Sequence, residues 1–306
     1  MRGKTTFLAC AALASLLANV SWPTPASAVS PDEARAIAKE AYIFHYPLVM
    51  MYRTMYLQAI DPESESYSGG FGKWLHLGTS SPNDTDIVSP NNDSPYSYAW
   101  VDTRAEPWVL TLPKIEEHRF YTSQWDDLWG FVLDNPGSVE DGNDGVSVLL
   151  ASPTWKGPLP KGVKRVIRGD SAFLGTLTRT QLIEPKDLPN VEKIQQEYEL
   201  QPLSAFLGKP APVATPAIEW KPWKEGAERT DEFWAYANFL LQLTTPNPQD
   251  APVQSRAARI GIEAGKPWNA AALGKDVQDA IAAGMQDAIA ELKQGQTNIT
   301  DPSLFF

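Results

Sequence analysis

The stretch from residue 88 to residue 138 constrains the fold most. It opens on a tight polar turn, Pro90-Asn91-Asn92-Asp93-Ser94-Pro95. Asn and Asp side chains bond their own backbone there, and proline fixes φ. Behind the turn, Tyr96, Tyr98 and Trp100 alternate with Ser97, Ala99 and Val101. That period of two specifies a strand. Residues 108–112 and 120–124 repeat it. The element Gln124-Trp125-Asp126-Asp127-Leu128-Trp129 then brings aromatic and acidic side chains together. Two or three antiparallel strands with polar residues at their ends are expected.

The rest of the chain extends this pattern. Residues 74–77, 146–150, 163–167 and 173–178 also read as strands. About seven short strands at close spacing point to a sandwich or barrel. Ahead of them, Ser30 is a helix N-cap, Pro31 takes the first helical position and Glu33 completes a capping box. Ala34, Ile37, Ala38 and Ala41 follow at helical spacing, and Pro47 is expected to kink or break the helix near Tyr46. Beyond Pro185 the periodicity changes. Helices are expected over 191–200, 230–243, 254–264 and 275–293, with a proline-rich extended connector over 208–223. The expected architecture is a mainly β core of sandwich type, with an N-terminal kinked helix and a C-terminal helical segment. Residues 29–185 form the first unit and 186–306 the second.

The first 28 residues have a different character. Arg2 and Lys4 precede an apolar, alanine-rich run, and Ala26-Ser27-Ala28 is a small-residue cleavage site. This is the composition of a secretory signal peptide, so the mature chain is expected to begin at Val29 and to be periplasmic or secreted. The single cysteine, Cys10, lies in that leader, which leaves no thiol or disulfide chemistry downstream. The formal net charge is −11, and removing Arg2 and Lys4 makes it more negative. Such acidity argues against nucleic acid and against an anionic membrane face. Past the leader no run of apolar residues is long enough to span a bilayer.

These motifs carry a resemblance. The turn residues Pro90, Asn91, Asp93, Ser94, Tyr96 and Ser97, the triplet Ala105-Glu106-Pro107, and Gln124, Asp127 and Trp129 resemble the pattern of the bacterial family called domain of unknown function 1254. Trp155, Gly157, Leu159 and Pro160, and Val166-Ile167-Arg168, are similar to later elements of that family. The resemblance implies a jelly-roll form of the β core and no settled activity. It also implies a following domain, called domain of unknown function 1214. On that reading the apolar end Leu304-Phe305-Phe306 leads toward a domain lost by truncation or supplied by a separate chain, and the chain alone is expected to self-associate. The alternative has Leu304 and Phe306 fold back on the preceding helix.

Candidate chemistry is sparse. Asp93 and Asp127, at predicted strand ends, are the candidate acid and base of a hydrolase acting on a carbohydrate or related polymer. The plainer reading is that Asp93 bonds turn amides and Asp127 pins a loop. Asn91, Tyr96, Trp100, Gln124, Trp125 and Trp129 are candidate ligand-binding residues, since flat aromatic faces stack on sugars or other rings, although aromatics also fill cores. The first functional reading is an envelope-associated protein binding a small molecule or glycan; the second is the hydrolase. His45, His76 and His118 lack metal-pairing spacing and read as structural or surface residues. The run Asp141-Gly142-Asn143-Asp144-Gly145 lacks the spacing of a calcium loop and reads as a hairpin turn. No Gly-x-Ser-x-Gly, phosphate-loop or dinucleotide pattern occurs, so no metal and no cofactor is expected.

Overall fold

The computed structural model describes residues 29–80 and 92–298. Helix α1, Pro31–Met55, starts as its sequence dictates: Ser30 Oγ accepts from the Glu33 N–H and the Glu33 carboxylate accepts from the Ser30 N–H. It does not break at Pro47. That residue lies on the exposed side, where the carbonyl four residues earlier can turn to water, and the helix continues into a π-helical turn, Tyr56–Ile60. One face, from Ala34 through Tyr42, His45, Leu48 and Tyr52 to Met55, is buried.

Nine strands follow among the described residues: β1 Leu75–His76, β2 Tyr96–Asp102, β3 Trp108–Leu112, β4 Tyr121–Asp127, β5 Val132–Asp134, β6 Val146–Ala151, β7 Val166–Arg168, β8 Phe173–Thr180 and β9 Glu199–Pro202. They form two sheets, one in the order β1-β2-β8-β4-β5 and the other β7-β6-β3-β9. The two-sheet core matches the sequence expectation, although helix, at 37%, outweighs strand, at 19%, because the helices form a layer of their own. Two strands are unforeseen: β5 has three residues, and β9 lies in the stretch read as helix over 191–200. Helix α2, Leu188–Gln196, stops short, and Leu200 pairs with Leu110 along the edge of β3. Edge pairing satisfies a row of backbone groups that one more helical turn would leave unpaired.

Between the sheets, Val101, Tyr121, Trp125 and Leu174 meet Leu110, Leu112, Val148 and Leu150. Part of that interior is hydroxylic: Ser123 and Thr178 bond at 2.7 Å, Thr180 and the Tyr198 hydroxyl at 2.7 Å, and Ser97 and His76 Nδ1 at 2.8 Å. Each buried hydroxyl thus has a partner, as low polarity demands.

The second core belongs to α1 and to α4 Glu232–Leu241, α5 Ala251–Ala258 and α6 Lys275–Asn298. Trp100 and Phe173 from the five-stranded sheet and Leu128 just after β4 enter it, so sheet and helical layer share one boundary. After the four-residue helix α3, Leu203–Phe206, the proline-rich segment is irregular as expected. It is anchored nonetheless. The Tyr52 hydroxyl donates to the Lys221 carbonyl, the Tyr236 hydroxyl to that of Pro222, and Trp220 lies edge-on to Phe173. Helix α6 docks on α1 through Gly284, where an added Cβ would stand 2.2 Å from the Arg35 carbonyl oxygen. Arg35–Asp287 and Lys39–Glu291 ion pairs flank the contact. No helix among the described residues is long and apolar enough to cross a membrane. The expectations for the leader and for residues 304–306 lie outside the described residues.

Candidate functional site

Parity along the strands sorts the candidate residues. The register pairs Tyr96 with Arg179, Trp100 with Gly175, and Gln124 with Leu177, so Tyr96, Trp100 and Gln124 share the sheet face turned away from the sandwich core. Trp125 points the opposite way, fully buried, its indole N–H donating to Ser123 Oγ. It fills the core and is not a ligand platform. Trp100 is also nearly buried: its indole crosses Gly175, where a Cβ would meet the ring at 2.7 Å, and its N–H donates to Gln58. Tyr96 lies under the Arg179 guanidinium, 4.9 Å from ring centroid to cation. Asn91 lies outside the described residues.

The two carboxylates proposed as acid and base are not brought together. Asp127 pairs with Leu174, whereas the Asp93 carbonyl accepts from the N–H of Leu182, eight residues further on. At ~3.3 Å per residue that is roughly 26 Å, against the 5–10 Å or so an acid/base pair needs. Asp127 is a loop pin. Its Oδ1 accepts from the N–H groups of Trp129 at 2.9 Å and Phe131 at 3.3 Å, and Oδ2 from that of Asp170 at 2.9 Å. Burial raises its pKa, and the three N–H groups oppose the rise.

Sequence reasoning passed over Asp126. Period two from Gln124 puts it on the outer face, half-buried, with both oxygens accepting from the Gln124 amide at 3.2 Å. Burial raises its pKa as well. Strand parity alone would have separated it from Asp127. The 141–145 turn is held by protein cations: Asp141 accepts from Lys164 and Arg165 at 2.6 Å, and Asp144 from Lys114 at 2.7 Å. Among the described residues no three His, Cys, Asp or Glu side chains converge as metal ligands would.

The Asp127 pin fixes Trp129, and Trp129 borders a cavity of about 470 Å³. Its other walls come from the end of α4, the loop after it, α5 and the segment 262–264. They include Leu241, Pro246, Pro248 and Ile262, with Thr244, Thr245, Asn247, Gln254 and Ser255 as polar groups. Asp250 and Glu263 also line it. Phe44 packs on Trp129 at 5.2 Å, and the His45 ring lies 6.2 Å from it. His45 is wholly buried. Its Nδ1 is 2.7 Å from the Ala41 carbonyl, and burial lowers its pKa, opposed by hydrogen bonding to the Ala41 carbonyl and the Gln254 side chain. A carbonyl only accepts, so Nδ1 carries the proton and the neutral ring leaves a lone pair on Nε2. The sequence offered no signal for His45, whose importance depends on segments far along the chain.

Residues 71–202 match the family described as "Protein of unknown function (DUF1254)". This part of the chain belongs to that family. No curated protein matches the sequence. The crystal structure of the VPA0106 protein from Vibrio parahaemolyticus is similar, with a TM-score of 0.71, 20% identity and 88% of this chain covered. That likeness is one of fold. This chain covers 61% of the Vibrio chain, so it spans less than two thirds of that protein. An uncharacterised protein from Burkholderia cenocepacia aligns at a TM-score of 0.29 and 14% identity, over 62% of this chain and 51% of its own.

Proposed function

We propose that this is an exported ligand-binding protein whose cavity beside Trp129 takes a small, uncharged, largely apolar molecule. The observation that carries the reading is the cavity itself. Its volume, about 470 Å³, falls in the range of small-molecule sites, and apolar walls with a few convergent polar groups are the usual composition of such sites. Asp250 and Glu263 at the lining disfavour anions. Most of the wall surface is apolar although several polar side chains reach it, which favours a small molecule over a glycan. The backbone positions that Asp127 and Asp93 face, Leu174 and Leu182, lie roughly 26 Å apart along an extended strand, which speaks against a two-carboxylate hydrolase. Export rests on the leader: positive residues, apolar run and Ala26-Ser27-Ala28.

Two measurements test the proposal. A thermal-shift screen of uncharged aromatic fragments is expected to find compounds that raise the melting temperature, because a ligand that binds only the native state stabilises it. Ser255→Trp, at an exposed lining position, should abolish those shifts while melting close to the parent. Shifts that survive Ser255→Trp would place binding elsewhere. N-terminal sequencing of exported material should begin at Val29; an intact Met1 there would refute export by cleavage.

A further inference from the structure

We infer that the ligand of this cavity carries a carboxamide, whose carbonyl accepts from the Asn247 side-chain NH₂ and whose N–H donates to the Asp250 carboxylate. The inference rests on the cavity reading and specifies the ligand class within it. Asn247 and Asp250 are both half-buried, and both line the cavity. They flank a single 3-10 turn, Pro248–Asp250, which Asn247 caps. A spacing of three residues brings side chains to one side of such a turn.

The orientation of Asn247 is fixed by its surroundings. Its Oδ1 accepts from the Gln249 N–H at 3.0 Å, and a backbone N–H selects the oxygen end of an amide. The NH₂ end is left to donate. Pro246 and Pro248 flank the residue, and the proline after it keeps Asn247 extended, at φ −87° and ψ 126°. The Thr245 N–H donates to the Asp170 carbonyl at 2.7 Å, and Thr244 bridges to Ser171, so the loop is tied to the start of β8. A donor held in this way loses little freedom on binding. Among the described residues neither Nδ2 nor the Asp250 carboxylate has a hydrogen-bond or ion-pair partner. A fixed donor beside an acceptor is the complement of an amide. A cation offers donors only and sets an N–H against that of Asn247. A carboxylate offers acceptors only and meets Asp250. An ester satisfies Asn247 alone. The rest of the ligand meets Trp129, Leu241 and Ile262, which favour a flat apolar body.

The probes are therefore 2-naphthamide, methyl 2-naphthoate and the cation 2-naphthamidinium, titrated by calorimetry against the purified chain, Asn247→Asp, Asp250→Ala and Ser255→Trp. Asn247→Asp keeps an oxygen for the Gln249 N–H and removes only the donor. The parent is expected to bind the amide about tenfold more tightly than it binds the ester, the value of one hydrogen bond. Asn247→Asp should weaken amide binding by about the same factor. Asp250→Ala should bind amide and ester alike, and Ser255→Trp no probe. Amide binding unchanged in Asn247→Asp, yet blocked by Ser255→Trp, would overturn the carboxamide contact and leave the cavity reading intact. Equal binding of amide and ester by the parent would overturn it in the same way. Tighter binding of the cation than of the amide would overturn the carboxamide and the uncharged ligand together. Binding of no probe by the parent would overturn the ligand class, and the fragment screen would still judge the cavity. If Asn247→Asp fails to fold, proton NMR of the parent decides. The side-chain NH₂ signals of Asn247 should move on adding 2-naphthamide; unmoved signals at saturation refute the contact.

Discussion

Asparagine at position 127 is expected to destabilise the fold by about 2 kcal/mol, although it differs from aspartate by one atom. The reason is the set of groups facing the carboxylate. All three are N–H donors: Trp129 and Phe131 on Oδ1, and Asp170 on Oδ2. An amide offers one oxygen, so whichever way it turns, at least one backbone N–H meets an NH₂ group. A lost charge-assisted bond costs about 1.5–3 kcal/mol and an orphaned N–H about 1–3. Against this stands relief of the burial that raises the carboxyl pKa, which brings the net to about 2. Alanine loses all three bonds, for about 4 kcal/mol. At ~2–4 °C per kcal/mol in a chain of this size, the melting temperature should fall by roughly 4–8 °C for asparagine and about twice that for alanine. Asp126→Asn is the control. Its carboxylate is half-exposed, bonds only the Gln124 amide and should cost under about 0.5 kcal/mol. Differential scanning calorimetry reads all three variants. Melting of Asp127→Asn within about 1 °C of the parent would refute the pin and return Asp127 to the list of replaceable, chemically active groups.

Other perturbations follow from the same reading. The Arg119 guanidinium is 2% exposed and donates to Asp187, Glu116 and the Gln181 carbonyl, so Arg119→Ala should cost about 3 kcal/mol in a urea titration, as a broken buried ion pair does. Hydrogen bonds from Arg119 hold the Asp187 and Glu116 carboxyls down at about 2. Their folded pKa values are thus depressed: the stabilisation is complete above the ordinary carboxylate range and disappears as pH falls through about 2. Between about pH 4 and pH 2 the parent should lose stability more steeply than Arg119→Ala; parallel curves would show that the cluster does not carry the acid sensitivity. Gly284→Ala places a methyl against the Arg35 carbonyl and should cost about 2–3 kcal/mol, with faster amide exchange in α6; unchanged exchange would mean α6 is not docked there.

Local patterns in the chain were enough to specify much of this molecule. The capping box at Ser30 and Glu33 starts α1, and period two from Tyr96 to Val101 defines β2, a strand that the structure buries on both faces. Turn residues separate the remaining strands. These features act within a few residues of themselves, so the sequence alone determines them. Short-range pattern reaches no further than that. It failed where the outcome depends on a remote partner. Glu199 and Leu200 are strand and not helix because the edge of β3 is there to pair with, and Pro47 is tolerated because its side of α1 faces solvent. Asp93 and Asp127 share a motif-rich stretch of sequence yet lie at opposite ends of β8, since a strand carries its residues steadily apart. The cavity is the extreme case. Trp129 comes from the β4–β5 loop, Leu241 from the end of α4 and Gln254 from α5, and only the docking of the helical layer on the five-stranded sheet makes them neighbours. Tertiary packing also decides the chemistry of His45, because a lone imidazole in a sequence has no set tautomer or burial, and both are fixed here by what surrounds it.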